Sequence, residues 1–196
     1  MSFNIAFFAS HNGSNMQAII DACKSGRLKS IPALVISNNS KSGAIERAVN
    51  EGIPSFHISS ATHQNDEDRN EYIISLLKHY NVNLVVLAGY MKKIDNSIID
   101  FMNGMVLNIH PALLPKYGGE NMYGMNVHKA VIEAGESESG ATVHFVNSNY
   151  DEGKILKQSR VIIEKSDTPE ILANKVLATE HQLYVDVISL LEHGSV

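Results

Sequence analysis

Short apolar runs alternate along the chain with segments whose apolar residues recur at helical spacing. The run NIAFFAS (4–10) predicts a first strand, and the spacing in residues 15–26 predicts a helix that ends at Gly26. The run VNLVVLAGY (82–90) is continuously apolar, which predicts a strand buried on both faces. Further strands are predicted at 31–37, 54–59, 105–110, 140–147 and 154–163, and further helices at 42–52, 66–79, 95–103, 125–134 and 168–193.

This alternation predicts an α/β fold with an open, mostly parallel, Rossmann-like sheet and helices on both faces. The last two predicted strands follow each other without a helix, so we expect a mixed sheet that ends in an antiparallel pair. Thr168 is the predicted N-cap of the terminal helix, with Pro169 in its first turn. The chain of 196 residues is long enough for a sizeable core, and we expect one domain over 1–196.

Composition excludes several classes of protein. The formal net charge is −5 without any block of Lys or Arg, which argues against nucleic acid as the main partner. No apolar run approaches the roughly 20 residues of a membrane span, and the start MSFNIAFFAS lacks the basic region of a signal peptide. We therefore expect a cytoplasmic protein that does not bind membranes. Cys23 is the single cysteine and the histidines lack metal-ligand spacing, so no metal is predicted.

The strand VLNIH (106–110) contains two polar residues that a buried strand would ordinarily avoid. Asn108 and His110 are two residues apart and therefore point to the same face of the strand. They stand at its carboxyl end, where sheets of this kind bind ligands, and Pro111 favours an extended backbone at His110. An amide and an imidazole can both donate to a developing oxyanion, and the imidazole can also move a proton. The alternative is a buried histidine bonded to a main-chain carbonyl.

Two loops add candidate chemistry. SHNGSN (10–15) follows the first strand, and its Gly13, Ser14 and Asn15 at a helix N-terminus suit a phosphate or carboxylate, although a plain N-cap turn is an equal alternative. NSNYDEGK (147–154) is a turn in which Asp151 could raise the pKa of a nearby imidazole, although it could equally be an ordinary turn residue.

The sequence does not show whether two further histidines have a functional or a structural role. His144 alternates with apolar neighbours on its strand and either faces the same cleft or has a structural role. His128, near the start of a helix, is open in the same way.

The motifs LVVLAGYMKKI, LNIHPALLPKYGG, GATVHFV and YDEGKIL occur in this order after the SHNGSN loop. Together they resemble the folate-dependent glycinamide ribonucleotide formyltransferases of purine synthesis, over about residues 4 to 190. The resemblance implies transfer of a formyl group from 10-formyltetrahydrofolate to the amine of glycinamide ribonucleotide. It implies that Asn108, His110 and Asp151 are the catalytic trio.

The resemblance also implies where the two substrates bind. Gly13, Ser14 and Asn15 match the family's substrate-phosphate loop, and Glu180 matches a carboxylate that holds the ribose hydroxyls. The residues implied for the folate are Met91, Lys92, Lys93, Ile94, Asn108, Asn147 and Tyr150. Oligomeric state is left open between a monomer and a homodimer.

Three departures from the family pattern stand out. MKKI replaces the commoner MRIL, and the loop GGENMYGMN is longer than in many members. An arginine common early in the third helix aligns near Asp66, with Arg69 three residues later, and its role is transferred to neither. Three alternatives remain: a sugar-nucleotide N-formyltransferase, a formyltetrahydrofolate hydrolase, and a non-catalytic folate- or nucleotide-binding module. The last would be favoured if Asn108 or His110 pointed into the core.

Overall fold

Residues 1–195 are described by a computed structural model, in which the strands form one sheet of order β3-β2-β1-β4-β5-β6-β7. The strands are β1 (Asn4–Phe8), β2 (Ile31–Ser37), β3 (Ser55–His57), β4 (Leu84–Leu87), β5 (Val106–His110), β6 (Glu138–Phe145) and β7 (Ile155–Ile162). The helices are α1 (Ser14–Lys24), α2 (Gly43–Asn50), α3 (Asp66–His79), α4 (Asn96–Phe101), α5 (Met125–Glu133) and α6 (Pro169–Glu192).

The sheet is mixed in the way that the sequence predicts. Strands β1 to β5 pair in parallel, whereas β5 with β6 and β6 with β7 pair antiparallel. Helices α1, α2, α5 and α6 cover one face and α3 and α4 the other, each against its own apolar cluster. The predicted fold class is confirmed. None of the helices in residues 1–195 is long and apolar enough to cross a membrane.

The element bounds differ from the prediction mainly at strand ends. The predicted strand 82–90 stops at Leu87, because Gly89 has a φ of 74° and turns the chain out of the sheet. The predicted strand 54–59 shrinks to three residues, and β6 begins at Glu138 instead of residue 140. Thr168 caps α6 as predicted, since its side chain accepts a hydrogen bond from the Ile171 N–H.

Tyr184 fastens α6 to the two central strands that end at the candidate site. Its side chain is fully buried, and its hydroxyl donates to the Leu87 carbonyl oxygen at 2.7 Å, with the Leu107 oxygen at 3.3 Å. A buried donor aimed at strand carbonyls fixes the position of the helix along the sheet. The terminal helix is thereby held in register with the carboxyl ends of β4 and β5.

We expect Tyr184→Phe to lower the free energy of unfolding by about 1–2 kcal/mol, because it removes the hydroxyl but keeps the ring. Urea denaturation followed by circular dichroism measures this change. Tyr72→Phe, at a partly exposed tyrosine of α3, is the control and should leave the midpoint unchanged. Equal midpoints for the parent and Tyr184→Phe would contradict the anchoring role.

Candidate active site

A cavity of about 720 Å³ opens at the carboxyl ends of β4 and β5, beside the first turn of α1. Its lining includes Asn15, Asn108, His110, Asp151 and Glu180. Residues from four separate parts of the sequence therefore meet at the sheet edge where α/β folds place their ligands. Neither Asn108 nor His110 points away from the cleft, so the condition that would favour a non-catalytic module is not met.

His110 is held from both of its ring nitrogens. Its Nε2–H donates to the Tyr117 carbonyl oxygen at 2.6 Å, and its Nδ1 lies 3.3 Å from Asp151 Oδ2. Tyr117 has a φ of 57°, which turns its carbonyl back toward the strand end. Because both nitrogens face oxygen acceptors, the neutral ring keeps its proton on Nε2, and ionised Asp151 stabilises a second proton when Nδ1 takes one up.

Asp151 stands in the turn after β6 and reaches into the cavity from the opposite side. Its Oδ2 accepts the Gly119 N–H at 2.9 Å, and its own backbone has a φ of 57°. Gly153 makes this tight turn possible, because a Cβ there would lie 1.6 Å from the Phe145 carbonyl oxygen. The spacing Asp-x-Gly in this chain therefore has a steric basis.

His144 joins the same cluster through the pairing of β5 with β6. Asn108 and His144 are direct partners in that register, and Asn108 Nδ2 donates to His144 Nε2 at 3.2 Å. The Nδ1–H of His144 donates to the Phe145 carbonyl oxygen at 2.8 Å, and its Nε2 lies 3.5 Å from Asp151 Oδ1. The alternation of side chains along β6 does not show whether His144 faces the cavity. The register between β5 and β6 does, because it places His144 beside Asn108.

The ionisation of the cluster follows from burial and from neighbouring charge. Burial lowers the pKa of His110 below its usual value, while the Asp151 carboxylate and the Tyr117 carbonyl act in the opposite direction. Burial raises the pKa of Asp151, but His144, the charge of His110 and the Gly119 N–H outweigh it and hold the pKa below its usual value. Asp151 is therefore an ionised partner for His110 at neutral pH.

Glu180 and Asn15 form a second polar pair in the cavity. Asn15 Nδ2 donates to Glu180 Oε2 at 2.7 Å, and both side chains are buried. Burial raises the pKa of Glu180 to about 7, and the hydrogen bond from Asn15 only partly opposes this shift. The Oδ1 atom of Asn15 is buried without a hydrogen-bond partner among residues 1–195.

Of the three residues predicted for the phosphate loop, Asn15 lines the cavity and the other two, Gly13 and Ser14, do not. Gly13 is the N-cap of α1 with a φ of 68°, and a Cβ on it would lie 2.9 Å from the Ala44 Cβ. The glycine is thus needed for its backbone angle and for close packing against α2. Ser14 is the half-buried first residue of α1, and the helix N-terminus has no side-chain cap.

The predicted folate residues divide between two cavities. Met91 and Lys92 line the first cavity, whereas Lys93 and Ile94 line a second cavity of about 480 Å³ on the α3–α4 side of the sheet. Tyr90 and Lys92 line both, so the 90–92 segment separates the two spaces.

The second cavity also contains the arginine that the sequence comparison left without a role. Arg69 lines it together with Asp66, and Arg69 Nη1 lies 2.8 Å from Asp66 Oδ1. With Lys92 and Lys93, the cavity brings together three cationic side chains and several polar ones.

Only part of the turn 147–151 lines the first cavity. Tyr150 lines it, but the exposed Asn147 does not, and Asn147 Oδ1 instead accepts the N–H of Asn149. Lys93 Nζ lies 5.4 Å from the centre of the Tyr150 ring, which links this turn to the 91–94 segment. Within residues 1–195 no group of three or more His, Cys, Asp or Glu side chains could hold a metal ion.

Comparison with known proteins shows the family to which the chain belongs. The formyl transferase family matches residues 3–188, and the chain belongs to that family. Within it, the chain is 35% identical over 191 residues to the phosphoribosylglycinamide formyltransferase of Escherichia coli strain K12, covering 97% of this chain and 88% of that protein. The resemblance to the glycinamide ribonucleotide formyltransferases, seen in the sequence motifs, is confirmed.

Other relatives agree with this placement. The chain is 42% identical over 185 residues to the chloroplastic phosphoribosylglycinamide formyltransferase of Arabidopsis thaliana, which covers 94% of this chain but only 63% of that relative's length. The crystal structure of glycinamide ribonucleotide transformylase 1 from Symbiobacterium toebii superposes with a TM-score of 0.91 at 34% identity, over 98% of this chain and 89% of that one.

The raised pKa of Glu180 gives a stability prediction. A carboxyl group whose pKa is higher in the folded state than in the unfolded state stabilises the fold. This stabilisation is complete below the unfolded-state pKa, and it is lost as the pH rises through the folded-state pKa of about 7. From pH 5 to pH 8 the parent should therefore lose up to about 3 kcal/mol relative to Glu180→Gln, which keeps an acceptor for Asn15. Urea denaturation at both pH values tests this, with Glu133→Gln on the exposed side of α5 as control. Parallel pH dependences of the parent and Glu180→Gln would refute it.

Proposed function

We propose that this chain transfers the formyl group of 10-formyltetrahydrofolate to the amine of glycinamide ribonucleotide, as a single formyltransferase domain. The observation that carries the proposal is the convergence of Asn108, His110 and Asp151 on one cavity of a formyl transferase fold. The names of the relatives support glycinamide ribonucleotide as the acceptor. 10-Formyltetrahydrofolate is the donor cosubstrate, and no metal is part of the reaction as we propose it.

The acceptor is assigned to the α1–α6 side of the cavity. The Glu180 carboxyl group, oriented by Asn15, suits the ribose hydroxyls because its oxygens accept hydrogen bonds. The uncapped N-terminus of α1, with Ser14 and the main chain at Gly13, suits the phosphate, since its N–H groups and dipole favour an anion. The acceptor amine then points toward His110.

The donor is assigned to the side formed by the 91–94 segment and the 147–151 turn. Main-chain groups of the 91–94 segment, together with Tyr150, would lie against the pterin-like ring, and Asn108 would face the formyl group. The carboxylate tail of a folate would pass over Lys92 toward the second cavity, where Arg69 and Lys93 offer positive charge. Asn147 would contact the ring only if its turn moved, because its side chain is engaged with Asn149.

The reaction requires one bond to form and one to break at the formyl carbon. The amine nitrogen attacks this carbon, its C–N bond forms, and the carbonyl electrons move onto oxygen. Asn108 and protonated His110 stabilise that oxyanion, and Asp151 stabilises the imidazolium. The bond between the carbon and the folate nitrogen then breaks, while a proton passes from the amine to that nitrogen.

Both oxyanion donors already have protein partners. Asn108 Nδ2 bonds to His144, and His110 Nε2 bonds to the Tyr117 carbonyl oxygen. The Asn108 amide has two N–H groups, so one of them remains for the oxyanion, whereas His110 Nε2 can donate to it only by releasing the Tyr117 carbonyl oxygen. Holding both substrates in one cavity supplies a further large part of the rate by proximity.

We further propose a cytoplasmic location and, as the oligomeric state, a monomer or a homodimer. The relative from Arabidopsis thaliana is named as chloroplastic. Gel filtration with light scattering would decide the oligomeric state of the full chain.

A formyl-transfer assay tests the proposed function. We expect turnover that depends on both 10-formyltetrahydrofolate and glycinamide ribonucleotide, and we expect His110→Ala and Asp151→Asn to lower kcat by roughly 10²–10⁴-fold. His79→Ala, at an exposed histidine of α3, is the control. Turnover without an amine would instead indicate a hydrolase, and turnover only with an amino-sugar nucleotide would indicate the other transferase. Binding of folate without turnover would indicate a binding module.

The donor assignment gives a separate prediction. Lys92→Gln and Arg69→Gln should each raise the KM for the folate by about 2- to 10-fold, more at low salt, because each removes a charge from the path of a carboxylate tail. The KM for glycinamide ribonucleotide should not change. Lys165→Gln, in the exposed loop before α6, is the matched control. If the two cavity variants and the control behave alike, the tail does not follow this path.

A further inference from the structure

His128 is a buried cavity residue that the mechanism above does not use. It lies in α5, lines the first cavity, and is 5% exposed. Its Nδ1 is buried without a hydrogen-bond partner among residues 1–195. The other two buried histidines nearby, His110 and His144, each bond to a main-chain carbonyl. The ring of His128 therefore lacks, at Nδ1, the main-chain hydrogen bond that holds the other two histidines in place.

The protonation of the ring follows from its surroundings. Burial lowers the pKa of His128, and so does the positive charge of His110, which favours the neutral imidazole. A neutral imidazole has one N–H and one bare nitrogen. Leaving a bare acceptor in the buried position costs less than leaving a donor there, because orphaned N–H groups are rarer than under-used acceptors. This difference favours the tautomer that carries its proton on Nε2.

His128 lines the same cavity as Asn15 and Glu180, on the assigned acceptor side, and as His110 at the proposed reacting centre. It lies close enough to His110 for the charge of that ring to affect it. Asn15 Oδ1 is likewise buried without a partner among the described residues, so this wall carries two unused polar groups. The part of glycinamide ribonucleotide between its ribose and its amine is the glycinamide group, whose carbonyl oxygen is a hydrogen-bond acceptor.

We propose that His128 binds the acceptor substrate, with its Nε2–H donating to the carbonyl oxygen of the glycinamide group. This inference rests on the proposed function. It makes His128 a specificity residue, since an amino sugar has no carbonyl oxygen at this place and would leave the imidazole unpaired. The general rule is that a site built to bond a substrate polar group discriminates against substrates that lack it.

Three variants separate this role from a structural one. His128→Phe keeps a ring of similar size but no hydrogen bond, His128→Gln retains a side-chain N–H near the position of Nε2, and Lys129→Gln is the exposed neighbour. Steady-state kinetics of the full chain should show His128→Phe with a KM for glycinamide ribonucleotide raised about tenfold or more, with the folate KM unchanged. His128→Gln should recover much of this loss, and Lys129→Gln should match the parent.

Thermal unfolding with glycinamide ribonucleotide alone provides a second readout. The ligand should raise the Tm of the parent but raise that of His128→Phe much less. Should His128→Phe not fold, His128→Asn, which is too short to reach the carbonyl, takes its place with the same expectation. An unchanged acceptor KM in a folded variant, or equal rises in both substrate KM values, would overturn the proposal. Absence of acceptor-dependent turnover and of a Tm shift in the parent itself would instead overturn the proposed function, and this inference with it.

Discussion

The arrangement of the candidate site depends on one buried carboxylate. Asp151 faces His110 on one side and His144 on the other, and it accepts a hydrogen bond from the Gly119 N–H. Those contacts keep the carboxylate ionised despite burial, and the ionised carboxylate in turn favours the charged form of His110. Three separate chain segments contact this one group: the end of β5, strand β6, and the loop after Tyr117. A neutral or displaced side chain at this position would leave all three without a common partner.

The fold makes this meeting possible through strand order and register. β4 and β5 end at the same sheet edge, and the antiparallel β6 returns beside β5 so that His144 faces Asn108. α6 completes the cavity with Glu180, and Tyr184, one helical turn later, bonds it to the strands that end there. Apart from Asp151, which stands in a turn, the polar groups of the proposed acceptor side and reacting centre therefore lie on packed helices and strands. Side chains held in fixed positions in this way can orient two substrates relative to each other, and such orientation raises the reaction rate.

The sequence predicts much of this because its signals are local. Continuous apolar runs predict the parallel strands, and Asn108 with His110 at a strand end predicts where the candidate site lies. Other features depend on contacts that no local pattern encodes. The pairing of His144 with Asn108 requires the strand register, and the division of Lys92, Lys93 and Ile94 between two cavities requires the path of the loop after Gly89. Gly13 is an instructive case, because its conformational freedom suits a phosphate loop, whereas its contact with Ala44 also gives it a packing role.

The central claim is that ionised Asp151 controls the charge of His110. Nitrogen-15 NMR of the imidazole rings, measured across a pH titration in the parent and in Asp151→Asn, tests it most directly. The account predicts that Nε2 of His110 keeps its proton, that Nδ1 takes up the second proton, and that removing the Asp151 charge lowers the pKa of this step. An unchanged or raised pKa of His110 in Asp151→Asn, with the fold intact, would contradict the account.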